Sequence, residues 1–382
     1  MAFENTAVMQ SRIAGVLERN IKDSLLPQSL LFAGHPGSGR LTAALDLAFY
    51  LTGERRDILR SASVIYFPSR PLSARVKAAV NIFSKDRSDA SRLFLLETLR
   101  LVNMQYNAVL APSMNSSTSS LFQKASAVDE FLCSIEERRE ITDEDVKTLE
   151  SLRITGDEKY LYGGKKNPSA VSIDQLRLIK EWMSFGSGEK VVIIEDIESA
   201  TEGAKNSILK MLEEPEEHFT IILVSSESQR IMETILSRVR KFNFPPLTEA
   251  KISSLLKSRF NHWEDYPSFD AFYFCRGNDS ASVEACDRVV KDCADIISSG
   301  TFITREKEEE INNLLESLSA YSYFRLRLTQ EIESRLRRSK ITALRARRVL
   351  SILRSWSEGI ETYNMSERAA LDYIIRESQI AE

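Results

Sequence analysis

Apolar positions change their period several times along this chain, and each change predicts an element. Ser29-Leu-Leu-Phe-Ala33, Val191–Ile194 and Phe219–Val224 are short apolar runs, the last two rich in β-branched residues. Such runs predict strands covered on both faces, as in a parallel sheet. After Asn206 the period becomes helical, with Ile208, Leu209, Met211 and Leu212 on one side. Glu213-Glu214-Pro215 ends that helix, because proline disfavours helical geometry in the residue before it. A short helix through Thr234-Ile235-Leu236 and a further strand before Leu247 complete this stretch.

Two other regions read as helical. From about Glu54 to Pro168, Val76, Val80 and Phe83, then Leu93, Leu96 and Leu99, recur at helical spacing. Met114–Ser120 is a polar loop, Val128–Leu152 reads as another helix, and Tyr162–Pro168 as a turn and hinge. Beyond Leu247 helical periods continue to the end, with turns near Ser339 and Ser357-Glu-Gly359. In the basic run Arg335, Arg337, Arg338, Lys340, Arg345, Arg347 and Arg348, the apolar Ile341, Leu344 and Leu350 keep a helical stripe. A charged solvent face or a helix contact explains that pattern better than nucleic acid. The fold class is therefore α/β followed by all-α.

Composition adds limits. A chain of 382 residues implies two or three domains, and 43% hydrophobic residues suffice for packed cores. Lys+Arg 51 against Asp+Glu 55 gives a net charge of -4, which excludes gripping DNA by bulk basicity. Cys133, Cys275, Cys286 and Cys293 form no CxxC pair, and Cys286 and Cys293 are spaced for one helical face. No signal peptide or membrane-length apolar run is present, so a cytoplasmic, reduced protein with no membrane contact is expected.

The first chemistry lies after Ala33. Gly34-His-Pro-Gly37-Ser-Gly39-Arg40-Leu41 has the frame of a phosphate-binding loop, GxxxxGK[ST], between a strand and a helix. Arg40 stands where lysine would reach the phosphates, and Leu41 where a hydroxyl would hold magnesium. Thr42 comes one residue too late, turned about 100° away on a helix. Arg40 could still pair with a phosphate, so weak ATP or ADP binding stays open, but no cofactor is required.

The block NSILKMLEEPEEHFTIILV…TILSRV…FPPL, with the opening Phe3-Glu-Asn-Thr…Gln10…Leu17, resembles the bacterial clamp-loader subunits of the AAA+ class. The resemblance covers Met1 to about Gly53 and Ser169 to about Ser282. It implies an AAA+ P-loop-type parallel-sheet domain over 1–247, with a helical insertion at about 54–168. A helical lid domain over 248–298 and a helical collar domain over 299–382 follow. The insertion is either a module for a partner or a packing embellishment. The family's SRC triplet reads Ser237-Arg238-Val239 here, so Arg238, with Ser237, takes the place of an arginine finger that acts on a neighbour's nucleotide.

Other positions depart from the family's active members. Glu195-Asp196 reverses their Asp-Glu pair, Ser225 takes the place of a polar sensor, and Arg276 precedes Gly277 and reads as a surface residue. The family's zinc module is missing, so no metal is expected. These departures fit a non-catalytic, stator-like subunit, with a divergent active ATPase of the gamma/tau kind as the alternative. The implied partners are gamma/tau ATPase subunits and a delta subunit, with the sliding clamp and primer-template DNA reached through the complex. Ser172, a predicted N-cap, with Arg177 and Lys180 lies on the helix that would face DNA.

Overall fold

The apolar runs form one parallel sheet in a computed structural model. It describes residues 3–54, 61–68, 72–107, 109–110, 119–138, 140–161, 171–185, 188–260, 265–301, 303–318, 320–363 and 367–379. The chain divides into two compact units, Met1–Phe269 and Asp270–Glu382. In the first, α1 (Glu4–Lys22), β1 (Ser29–Gly34), α2 (Arg40–Thr52) and β2 (Val64–Phe67) come in succession. Next are the helices α3 (Ser73–Asp86), α4 (Asp89–Asn103), α5 (Ser119–Glu137), α6 (Asp143–Ser151) and α7 (Glu158–Leu161). Then come α8 (Ile173–Met183), β3 (Lys190–Glu195), α9 (Glu202–Glu213), β4 (Phe219–Ser225), α10 (Glu233–Leu236), β5 (Arg240–Phe244) and α11 (Glu249–Phe260).

The sheet order is β2-β3-β4-β1-β5, every pair parallel. Successive strand residues point to opposite faces. Leu30 and Phe32 of β1 therefore join a core with α1 and α2, while Leu31 and Ala33 join another with α8 and α9. Val191 and Ile193 against Val192 and Ile194 repeat the alternation in β3. Burial on both faces is what the unbroken apolar runs required.

β2 was not expected. Val64-Ile-Tyr-Phe67 lies inside the stretch read as helical insertion, yet it pairs with β3 as a fully buried edge strand. The insertion helices thus begin at α3. The helical spacing from Val76 to Leu99 falls on two helices, and the helix read over Val128–Leu152 also breaks. Arg87, at φ 52, separates α3 from α4, and the Ser88 hydroxyl caps α4 by accepting from the Ser91 N–H. Val128–Leu152 is two helices, because Thr142 and Asp145 form a capping box that starts α6. The polar loop read at 114–120 gives way at Ser119, where α5 begins; its other residues and the hinge read at 162–168 lie outside the described residues.

The insertion helices bury Val76, Phe83, Leu99, Val128, Phe131 and Leu132, and Phe83 of α3 meets Phe131 of α5 edge-on at 6.5 Å. The rings of Tyr106 and Tyr160 stack at 5.5 Å. α4 also meets α11: Phe94 packs edge-on against Phe260 at 5.1 Å, with the guanidinium groups of Arg75 and Arg259 over its ring. Glu97 pairs with Arg259 at 2.6 Å and with Arg75 at 3.9 Å.

In the second unit, α12 (Phe269–Gly277) leads from the boundary into α13 (Ser280–Ser299), α14 (Arg305–Leu318), α15 (Tyr321–Arg337), α16 (Ala343–Tyr363) and α17 (Glu367–Gln379). The turn at Ser339 is present, with φ 57. Residues 357–359 are not a turn, since α16 runs through them; a helix tolerates an interior glycine at a cost of about 1 kcal/mol. The buried stripe of α16 is Ala346, Val349 and Leu353, whereas Leu344 is 79% exposed. Arg335 of the basic run pairs with Asp295 and Glu331, and Arg345 donates to the Ser298 carbonyl. No helix among the described residues is long and apolar enough to cross a membrane.

Candidate functional site

The carboxyl ends of β1, β3 and β4 lie side by side, the edge where open α/β sheets bind ligands. Ala33 is the register partner of Ser225, and Glu195 of Val224. The loop Gly34–Leu41, the pair Glu195-Asp196 and Ser225 are thereby brought together, as the sequence reading required. Gly37 and Gly39 adopt φ 76 and 91, which only glycine reaches without strain. At Gly34 a Cβ would come to 2.2 Å of the Phe244 carbonyl oxygen, so glycine also lets β5 close on β1.

Gln10 sits at a kink in α1, with φ -139. Its amide donates to the carbonyls of Ser38 (3.0 Å) and Pro245 (2.7 Å). It therefore ties the loop to α1 and to the end of β5, a role the sequence did not disclose.

Glu195 and Ser225 are engaged within the fold, and Leu41 carries no oxygen where a hydroxyl would hold magnesium. Arg40 is 7% exposed, and Leu41 packs against the apolar core behind the loop. Glu195 accepts a 2.8 Å hydrogen bond from the Tyr66 hydroxyl on β2. Burial and the Glu195 charge push that phenol well above its usual range, so Tyr66 remains the donor. Asp196 is buried and left-handed, with φ 47.

Ser225 donates to Glu198 at 2.8 Å, and the same carboxylate oxygen accepts from the Glu227 N–H at 3.1 Å. Burial first, then the charge of Asp196, raise the Glu198 pKa above its ordinary value. The backbone frame of a phosphate cradle is thus kept, while the residues present do not fit a magnesium–nucleotide centre. No group of three or more His, Cys, Asp or Glu among the described residues could hold a metal. Arg276, read as a surface residue, is half-buried.

Arg238 lies elsewhere. It precedes β5, whose first residue Arg240 pairs with Leu30 near the start of β1. The parallel register therefore puts Arg238 at the amino-terminal edge of the sheet, away from the loop that follows β1. It is exposed, and its guanidinium has three anchors. Nη1 donates to the Thr234 carbonyl (2.8 Å) and to the Ser237 hydroxyl oxygen (3.3 Å), and Nη2 meets Glu213 at 2.8 Å. Ser237 itself donates to the Thr234 carbonyl at 3.0 Å.

Ser172 caps α8 in a capping box with Gln175, as its position predicted. Arg177 and Lys180 are exposed one turn apart, and Arg177 pairs with Asp174 at 3.2 Å. The Cβ position of Gly203, near the start of α9, lies 2.6 Å from the Ile173 side chain. That contact sets the start of α8 beside the start of α9, at the carboxyl edge of the sheet.

The family described as "DNA polymerase III, delta subunit" matches residues 100–248. The DNA polymerase III subunit tau of Bacillus subtilis is 37% identical over 83 residues, 21% of this chain and 15% of that protein. The DNA polymerase III subunit delta' of the same organism is 34% identical over 94 residues, 23% of this chain and 29% of that protein. The chain thus spans less than a third of the length of either relative. A crystal structure of a DNA polymerase III gamma subunit-related protein from Thermotoga maritima aligns with 58% of this chain and 86% of its own, at 18% identity and a TM-score of 0.30. At that score the strand order described above, rather than the superposition, defines the fold.

Proposed function

Because this chain belongs to the clamp-loader family, we propose that it is a non-hydrolysing, delta-prime-like subunit of a DNA polymerase III clamp loader, lending Arg238 to the ATP site of a neighbouring subunit. One observation carries the reading: Arg238 is exposed on the sheet edge away from its own phosphate loop. An arginine there acts on a nucleotide only if another subunit brings it. In phosphoryl transfer negative charge builds on the γ-phosphate oxygens, and a guanidinium fork bridges them with two donors. Leu41 packed against the core, Glu195 on Tyr66 and Ser225 on Glu198 support the absence of hydrolysis at its own loop.

The partners that follow are gamma/tau ATPase subunits and a delta subunit, with the sliding clamp and primer-template DNA met through the complex. Its own loop needs no cofactor, and ATP or ADP binds there weakly at most. Ser172, Arg177 and Lys180 face the DNA phosphates in this reading; Arg177→Ala should weaken salt-dependent DNA binding by the complex, and unchanged affinity removes that assignment.

The test of the main reading has two arms. The isolated chain should hydrolyse no ATP above background. In the reconstituted loader, Arg238→Ala should leave assembly intact and slow one ATP site by about 10³-fold or more. Magnesium-dependent turnover by the isolated chain that disappears in Arg40→Ala would instead establish the gamma/tau-like ATPase. Wild-type turnover by the Arg238→Ala complex would end the finger assignment.

A further inference from the structure

We infer that Glu213 is a positioning residue for Arg238, fixing the plane of its guanidinium so that one donor fork faces outward. This rests on the arginine-finger reading and adds the group that makes the finger ready. An arginine side chain carries considerable rotamer entropy, which an unsupported finger loses when it meets the phosphate. Here that ordering precedes the encounter. Nη1 is engaged by Thr234 and Ser237 on its own helix, and Nη2 by Glu213 from a different helix. The two acceptors on Nη1 set the plane only as firmly as the 3.3 Å bond to Ser237 allows, and the charged contact on Nη2 holds it there.

The donors left over matter as much. A guanidinium has five N–H groups. The three contacts leave the Nε–H and one Nη2–H unused among the described residues. With the Glu213 oxygen on the Nη2–H turned away from Nε, the other Nη2–H and the Nε–H form a parallel pair, the fork that takes two oxygens of a phosphate.

The location of Glu213 also points away from a helix-stabilising role. It is the last residue of α9. A carboxylate at a helix C-terminus faces the negative end of the dipole, so the helix alone disfavours it. The end of α9 is nevertheless well fixed: Glu214 leaves helical geometry at φ -127, ψ 71, and its N–H still bonds to the Lys210 carbonyl. Pro215 follows and cannot extend the helix. The carboxylate is thus held by a rigid element at the spot that Arg238 reaches. An ordinary exposed ion pair contributes little to stability, so its effect should appear in rate and not in folding.

The experiment separates this residue from the finger itself. In the isolated chain, phenylglyoxal modification of Arg238, mapped by mass spectrometry, should run faster in Glu213→Ala than in wild type. In the reconstituted loader, Glu213→Ala should lower kcat for ATP by up to about a hundredfold with KM for ATP unchanged, the size of a misplacement and not of a lost group. Glu213→Gln keeps an acceptor oxygen and should recover part of the rate. Equal modification rates in the isolated chain overturn the positioning role and leave the finger standing. So does a Glu213→Ala loader that turns over at or above the wild-type rate while Arg238→Ala is slow. If Arg238→Ala is itself at wild-type rate, both readings fall together.

Discussion

Replacing Glu198 by glutamine should stabilise the protein at alkaline pH and leave it unchanged in acid. Glu198 is 5% exposed, follows β3 and sits against Ser225 and the Glu227 N–H. One of its oxygens, Oε2, is buried with no hydrogen-bond partner among the described residues. Burial and Asp196 raise its pKa above the ordinary 4.5. A carboxyl whose folded pKa lies above its unfolded one keeps its proton more tightly in the fold. The stability this confers is complete below about pH 4.5 and is lost as the pH climbs through the folded value. At pH 8 the wild type therefore carries a desolvated charge that the amide of glutamine does not.

The amide oxygen still accepts from Ser225 and the Glu227 N–H, and its NH₂ turns a donor toward the charge of Asp196. The expected gain at pH 8 is about 1–3 kcal/mol, the usual cost of a buried polar atom without a partner. Each unit by which the folded pKa exceeds the unfolded one supplies about 1.4 kcal/mol of it. Urea unfolding of both proteins at pH 8, 6.5 and 5 measures the gap. A wild type more stable than Glu198→Gln at pH 8, or a gap constant with pH, would refute the assignment of a strained buried carboxyl.

Two further outcomes follow from burial. Phe94→Ala removes a ring that is 2% exposed and that Phe260, Arg75 and Arg259 all touch, so it should cost about 3–5 kcal/mol in chemical denaturation and speed amide exchange in α11; a loss under about 1 kcal/mol would mean the contact is not formed. Burial pushes the thiols of Cys286 and Cys293 up to about 12, so a disulfide reagent at pH 8 should label exposed Cys133 first and those two only on unfolding; rapid labelling of either in the native protein contradicts their place in the core of α13.

Three of the five strands, β1, β3 and β4, were legible because a buried strand writes itself as an apolar run; β5 was also expected, although Arg240–Phe244 buries only Phe242 and Phe244. β2 was missed although Val64-Ile-Tyr-Phe67 has the same character, since the helical spacing downstream absorbed it. That omission also hid the partner of Glu195, because Tyr66 comes from β2, 129 residues away in sequence. The loop's altered residues could be read one by one, as each is defined by its place in a motif. What those positions do instead could not, for Ser225 meets Glu198 and Gln10 meets Ser38 only after the sheet has formed. The break before α6 was written in Thr142-x-x-Asp145, yet a continuous count of apolar residues runs across it. Leu344 shows the opposite error, an apolar residue in step with a stripe that the helix leaves outside.

The grip of α4 on α11 has a consequence for how the chain is made. Glu97 and Arg259 are 162 residues apart in sequence, and Phe94 and Phe260 lie beside them. While a ribosome extrudes the chain, the insertion helices emerge first and can build their own core of local contacts. Phe94 then stays uncovered until the whole sheet and α11 have been synthesised. At about 5–20 residues per second that wait lasts roughly ten to thirty seconds. During it the nascent chain shows an aromatic ring flanked by Arg75 and Glu97, charged neighbours that keep such a ring in water better than apolar ones would. Closing α11 onto that ring is therefore among the last steps by which the first unit reports that it is complete.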